Sequence, residues 1–316
     1  MTSLLNQLPP PPLDKTGWPW TEESPHIPET MPDGKPWPKI SIVTPSYNQG
    51  QFIEETIRSV LLQNYPNLEY IIIDGGSTDN SVEIIKKYEP WLSYWVSEKD
   101  KGQADAIYRG FEKSTGRILS WINSDDYYLK NAFVTAAKKF MKNPTMELLI
   151  GGYIVVKPSN SIIRKYYGFP QTYESLLCTG KQLFGQMACF WTRKAFFDVG
   201  GFDRTMQFCF DYDLFLRLTY RRKFYKSNFI MAAYREHDAT KSSTIWDTSG
   251  LKEKDILQEK HGIKTIPDNI RAKIIRETKK KYELNKRISL IMDILRDCYI
   301  FAKKNLIYPS GRFLRK

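Results

Sequence analysis

The chain has 316 residues, a mass of 37.0 kDa and a formal net charge of +12, with 41% apolar, 14% aromatic and 26% charged residues. This composition excludes a disordered chain, a collagen and a disulfide scaffold, and the length suits one large domain or two smaller ones. Of the 47 Lys and Arg and the 35 Asp and Glu, 18 and 8 fall from Leu251 onward, so the first 250 residues are nearly neutral and the basic character belongs to the C-terminal segment. Cys178, Cys189, Cys209 and Cys298 have neither metal-site nor framework spacing and read as buried, reduced thiols of a cytosolic protein. No apolar run follows a basic N-terminus, and no stretch approaches 18 uncharged apolar residues, so neither a secretory signal nor a membrane-spanning helix is expected.

Residues 1–38 are rich in Pro and Trp, which predicts an extended arm outside the fold, with Trp18, Trp20 and Trp37 free to dock on the body. From Lys39 strands and helices alternate. Strands are predicted at Lys39–Thr44, Leu68–Ile73, Tyr94–Ser97 and Arg117–Ile122, and helices at Phe52–Leu61, Ser81–Tyr88, Gln103–Ser114 and Ala132–Met141. Such alternation argues for βαβ units in an α/β fold with a mostly parallel sheet flanked by helices, and ligands bind such sheets at the carboxyl ends of the strands. Those ends read Thr44-Pro-Ser-Tyr-Asn, Asp74-Gly-Gly-Ser, Ser97-Glu-Lys-Asp and Asn123-Ser-Asp-Asp. Further on, strands are predicted at Leu148–Val156, Ser161–Tyr166 and Gln186–Trp191, and helices at Tyr173–Cys178 and Phe210–Thr219. After Gly250 the pattern is helical and highly charged.

Adjacent carboxylates straight after a buried strand repel each other and are costly to desolvate. Asp125 and Asp126 therefore call for a divalent cation, which takes oxygen ligands and suits a diphosphate, or else for service as a helix cap. Asp74-Gly-Gly-Ser reads equally as a tight strand-to-helix turn or as a backbone that approaches a ligand closely.

The order of these motifs resembles the family 2 glycosyltransferases, inverting nucleotide-sugar enzymes of the GT-A fold. The resemblance runs from Lys39 to Ser243 and rests on Ile42-Val-Thr-Pro-Ser-Tyr-Asn48, Ile73-Asp-Gly-Gly-Ser-Thr-Asp79, Gly102-Gln-Ala-Asp-Ala-Ile107, Trp121-Ile-Asn-Ser-Asp-Asp126, Val199-Gly-Gly-Phe-Asp203 and Asp211-Tyr-Asp-Leu-Phe-Leu-Arg-Leu218. It implies a Rossmann-like nucleotide-binding half at 39–130 and an acceptor half at 131–250, followed by a basic helical extension at 251–316. Thr44, Pro45 and Tyr47 would line the nucleobase pocket and Asp74 would hydrogen-bond the base, most often uracil. Lys101, Gly102 and Asp105 match the segment beneath the nucleotide and donor sugar. Asn123 and Ser124 precede Asp125, the metal-binding position, with Asp126 beside it and His237 as a late ligand of Mn2+ or Mg2+. Asp211 falls where the family carries its general base, with Asp213 as the alternative. The two lie about 200° apart on a helix, so only one can face the cleft. Three positions depart from the family pattern: Asn123 replaces the first Asp of the Asp-x-Asp motif, Gly75 replaces a second Asp after Asp74, and Phe210 replaces the Glu before the catalytic Asp.

The expected activity is metal-dependent, inverting transfer of a sugar from a nucleotide-sugar, most often a UDP-sugar, to a sugar or lipid-linked sugar in cell-surface polysaccharide or glycolipid synthesis. A non-catalytic nucleotide-binding module and a nucleotidyltransferase are the alternatives. Residues 251–316 combine Lys279-Lys-Lys281 and Lys286-Arg287 with an apolar stripe through Ile288, Leu290, Ile291 and Ile294. They read either as a cap on the domain or as a segment touching an anionic membrane leaflet from the cytoplasmic side. No nucleic-acid partner is expected, because the charges do not interleave with a stacking platform.

Overall fold

A computed structural model describes residues 3–302 save 221, 239 and 241–248. Four strands, β1 (Ile40–Ser46), β2 (Leu68–Asp74), β3 (Tyr94–Ser97) and β4 (Ile118–Trp121), pair in parallel in the order β3-β2-β1-β4. Their residues alternate between two cores. Ile40, Ile42, Tyr70, Ile72 and Ile118 pack on one face of the sheet, and Val43, Ile71, Ile73, Leu119 and Trp121 on the other. Strands buried on both faces read as nearly continuous apolar runs, which is why they were visible in the sequence. Helices α1 (Ile53–Leu61), α2 (Ser81–Tyr88) and α4 (Ala132–Lys142) fill the first core. The second is filled by α3 (Gln103–Lys113), α5 (Tyr173–Thr179), α6 (Arg193–Asp198), α7 (Phe210–Thr219) and α8 (Leu251–Lys260). The chain crosses to the second face between β3 and β4. A crevice therefore opens at the carboxyl ends of β1 and β4, the switch point of a doubly wound sheet.

The same sheet continues with mixed pairing. Strand β8 (Cys189–Thr192) runs antiparallel to β4 and to β6 (Leu148–Val156), and β9 (Phe224–Arg235) lies parallel to β6. The short β5 (Tyr127–Tyr128) and β7 (Ile162–Tyr166) pair antiparallel with β9 and β6. The strand predicted from Gln186 begins only at Cys189, because Gln186–Ala188 form a 3₁₀ turn. Twelve-residue β9 has no counterpart among the predicted strands. It is largely exposed in its first half and largely buried in its second, and its register with β6 shifts around Gly152, so no single period runs through it.

The Pro- and Trp-rich segment, predicted to lie outside the fold, is built into it. Leu8, Met31 and Trp37 belong to the first core. Fully buried Arg58, in the middle of α1, donates to the carbonyls of Pro9, Pro19 and Trp20 and to the Tyr88 hydroxyl. Trp18 Nε1 donates to the Tyr128 carbonyl at 2.7 Å. At the other end, α9 (Asp268–Ala302) packs on α5, where the Thr278 hydroxyl bonds that of Ser175, and on the segment before it, where Tyr282 sits edge-on to Phe169 at 5.1 Å. Leu284, Ile288, Leu290, Ile291 and Ile294 on α9 are exposed. No described helix is long and apolar enough to cross a membrane, and basic residues 303–316 lie outside the described residues. Cys178, Cys189 and Cys209 are free and buried.

Candidate active site

A cleft of about 730 Å³ opens at the carboxyl ends of the four parallel strands, a volume that suits a nucleotide-sized ligand. Pro45, Ser46 and Tyr47 follow β1, Gly75 and Gly76 follow β2, Lys99 and Asp100 follow β3, and Asn123, Ser124 and Asp125 follow β4. Tyr47 is 61% exposed and offers a ring to stack on. Gly102 has a φ of +113°, a conformation that glycine adopts without strain. It turns the chain into α3, whose Gln103 holds Asn123 Oδ1 at 2.7 Å.

The two adjacent carboxylates face opposite ways. Asp125 lines the cleft and its Oδ2 lies 3.1 Å from His237 Nε2. Asp126 points inward and is fully buried, its Oδ1 accepting from the Arg235 backbone N–H at 2.8 Å. Burial and the charge of Asp125 push the Asp126 carboxyl well above the usual range. Arg235, at the end of β9, fixes this corner. Its guanidinium donates to the Asp125 carbonyl, to Asn160 Oδ1 and to buried Glu55 on α1. Thr56 ties the same loop to α1 by bonding the carbonyls of Ser124 and Asp126.

A second cavity, of about 560 Å³, adjoins the first and shares Gln103, Asn123 and Tyr234 with it. Asp211, in the first turn of α7, lines this cavity. So does Gln186, whose buried amide has no hydrogen-bond partner among the described residues and is placed to meet a polar ligand. Asp213 is buried on the far side of α7, paired with Arg217 and near His261. Burial raises its carboxyl, but hydrogen bonds from His261 and Arg217 outweigh this and hold it below the usual range. The N-terminus of α7 lacks a side-chain cap of its own. Glu253 of α8 braces the segment just before it, accepting from the backbone N–H groups of Gln207, Phe208 and Cys209 at 2.8–2.9 Å.

The structure thus brings Pro45, Tyr47, Gly102, Asn123, Ser124 and Asp125 to one cleft, with His237 against Asp125 and Asp211 in the adjoining cavity. Other expected residues are turned away. Thr44 is buried against the Tyr70 hydroxyl, and Asp126 faces Arg235. Asp105 is buried in an ion pair with Arg204 and accepts from the Lys101 backbone, while the exposed Lys101 side chain lines neither cavity. Asp74 is 0% exposed and closes its own loop. Asp100, Gln103, Tyr234, Arg235 and Glu253 were not singled out in the sequence. The loop position of Asp100, just after a predicted strand, was the available signal, whereas Arg235 lies on a strand whose period is broken. Nothing local marked Glu253.

Among the described residues, no group of three or more His, Cys, Asp and Glu could hold a metal ion. Asp125 and His237 nevertheless suit two adjacent positions on one octahedral cation. With bonds of about 2.1 Å, such ligands sit about 3 Å apart, and a diphosphate would complete the shell.

Comparison with known proteins bears on this architecture. The sequence model of Glycosyl transferase family 2 matches residues 41–201. The chain is 26% identical over 293 residues to the chondroitin synthase of Pasteurella multocida, covering 86% of this chain but 29% of that protein. Residues 1–349 of S. aureus TarS, in complex with UDP-GlcNAc, share the fold with a TM-score of 0.58 at 17% identity, covering 76% of this chain and 71% of that one. The mannosyltransferase PcManGT of Pyrobaculum calidifontis, in complex with GDP-Man and Mn2+, gives a TM-score of 0.54 at 15% identity, covering 86% and 80%.

Proposed function

Because this chain belongs to glycosyl transferase family 2, we propose that it moves a sugar from a nucleotide-sugar, in the first instance a UDP-sugar, to a hydroxyl acceptor with inversion at the anomeric carbon. The observation that carries this reading is the common wall between the Asp125 cleft and the Asp211 cavity. A donor seated in the first would present its anomeric carbon toward an acceptor in the second. Asp125 and His237 would hold a divalent cation, which would neutralise the departing diphosphate. TarS with UDP-GlcNAc and PcManGT with GDP-Man and Mn2+ support a nucleotide-sugar and a metal on this fold.

The chain's own residues do the rest. Asn123 and Gln103 form a fixed pair at the junction of the two cavities. Asp211 takes the proton of the acceptor hydroxyl as it attacks, and one attack by one base inverts the centre. Gln186 can both donate to and accept from the acceptor's hydroxyls. The similarity to a chondroitin synthase supports a role in polysaccharide or glycolipid assembly. The exposed apolar side chains of α9, interleaved with Lys286 and Arg287, support contact with an anionic membrane surface on the cytoplasmic side, where a lipid-linked acceptor would reside.

Asp211→Asn is expected to lower transfer about 10²- to 10⁴-fold while nucleotide binding persists. Asp125→Ala is expected to abolish both transfer and its dependence on Mn2+ or Mg2+. Release of UDP, GDP or TDP across a donor panel, read with and without EDTA, checks both. Full activity in either variant would remove that residue's assignment. Nucleotide binding by the unaltered chain with no transfer to any acceptor would favour the non-catalytic reading that Asn123 and Phe210 raise.

A further inference from the structure

Asp74, the residue that the family resemblance assigns to the nucleobase, is not available to it. Its Oδ2 accepts from the Gly76 N–H at 3.1 Å, the Ser77 N–H at 2.8 Å and the Ser97 hydroxyl at 2.7 Å, and its Oδ1 from the Ser77 hydroxyl at 2.5 Å. Three of these donors fall on Oδ2 and one on Oδ1, so the carboxylate is tied into its own loop and to β3. The side chain is wholly buried and lines neither cavity.

The next position, Gly75, stands where the family carries a second carboxylate. The backbone does not demand glycine there, since its φ lies outside the left-handed region. The space does. A Cβ at Gly75 would meet Asp100 Oδ2 at 2.8 Å, with Asp100 Cγ at 3.2 Å. Asp100 therefore projects its carboxylate from the β3–α3 loop into the room that the missing side chain leaves, on the wall of the cleft beside Gly75 and Tyr47. Its Oδ1 is held by the Gly102 N–H at 2.8 Å, while no described residue donates to its Oδ2. One oxygen fixes the group, and the other, beside Gly75, is left without a described donor on a residue that lines the cleft.

Resting on the nucleotide-sugar reading above, we propose that Asp100 reads the donor's nucleobase, Gly75 having surrendered that place to it. A carboxylate oxygen accepts from a ring N–H and repels a ring-nitrogen lone pair. The site therefore selects bases with a ring N–H flanked by carbonyl or amine, uracil foremost, and rejects cytosine, whose N3 carries a lone pair.

Calorimetric titration of the full chain with UDP and with CDP, in the presence of Mn2+, tests this without requiring turnover or a known sugar. The unaltered chain is expected to bind UDP at least tenfold tighter than CDP. A charge-assisted hydrogen bond corresponds to about 1.5–3 kcal/mol. Asp100→Ala is therefore expected to weaken UDP about 10- to 100-fold and to leave CDP unchanged. Asp100→Asn, which can turn an N–H toward the base, is expected to erase or reverse the preference. In the exchange variant Gly75→Asp with Asp100→Gly the carboxylate stands at the neighbouring position, and the UDP preference is expected to return. If Asp100→Ala weakens both nucleotides equally, or neither, the base-reading role is overturned. If the unaltered chain binds neither nucleotide, the nucleotide-sugar reading falls, and the proposal with it.

Discussion

At the scale of single residues, this site is organised by what each carboxylate is paired with. Asp213 is two positions from Asp211 on the same helix, but it faces Arg217 and His261 and lies buried in protein. Its carboxyl is held below the ordinary range despite burial. The stability that it contributes is therefore complete above the unfolded value of about 3.9 and is lost as pH falls through the lower folded value. Asp213→Asn is expected to cost about 2 kcal/mol at pH 7, the scale of hydrogen bonds to charged groups. The deficit should persist unchanged down to about pH 4 and close below it. Urea unfolding of both proteins across pH 3–7 measures this, and a deficit that grows as pH falls would contradict the pairing. Arg235 illustrates the converse. A fully buried arginine was not anticipated at the end of a strand, yet its backbone N–H holds Asp126 Oδ1 inside while its guanidinium holds the Asp125 carbonyl, which leaves the Asp125 side chain to the cleft.

At the scale of elements, the periodic helices were legible from their spacing and the parallel strands β1, β2 and β4 because burial on two faces writes a continuous apolar signal. Helix α2 begins at Ser81 and α7 at Phe210, as predicted. Strand β9 was not legible, because bulges and a change of exposure halfway along break its period. Yet this strand delivers Tyr234 and Arg235 to the site and leads to His237. Helix α8 has an equivalent role that no local pattern announced. Its Glu253 accepts from three backbone N–H groups of Gln207, Phe208 and Cys209, the segment that leads into α7 and so sets the entry of the turn that carries Asp211. Glu253→Ala is expected to cost about 1.5–3 kcal/mol, the scale of hydrogen bonds to a charged group. It should also lower turnover more than donor affinity, since it loosens the base and not the nucleotide cleft. Glu253→Gln, which keeps an acceptor oxygen, should recover part of both. Thermal unfolding together with kcat and KM decides the point, and unchanged turnover in the alanine variant would confine Glu253 to stability alone.

At the scale of the whole molecule, the two cores are separated by one sheet and closed by segments from the two ends of the described chain. The N-terminal segment supplies the carbonyls that neutralise the hydrogen-bonding demand of Arg58, which is otherwise surrounded by apolar residues of the first core. Removing residues 1–38 would leave that guanidinium short of three acceptors and expose Trp37-lined core. A buried group that loses its partners costs several kcal/mol. The truncated chain is expected to unfold at least 10 °C lower or to aggregate, and Arg58→Met in the truncated background should recover part of the loss. Calorimetry on the three proteins checks this, and an unchanged transition would mean that the segment only rests on the surface.

The sequence by itself determined the class of fold, the order of the loops that carry chemistry and the location of the net charge beyond Leu251. Each of these follows from local pattern: alternating burial, turn chemistry after each strand and composition. Only the tertiary structure decided which carboxylates face a ligand. Asp74 is consumed by Ser77 and Ser97, Asp105 by Arg204, Asp126 by Arg235 and Asp213 by Arg217, whereas Asp100, Asp125 and Asp211 line the cavities. The physical reason is that a buried charge goes to whichever donor the fold brings within reach, and most of those donors lie 20 to 110 residues away along the chain.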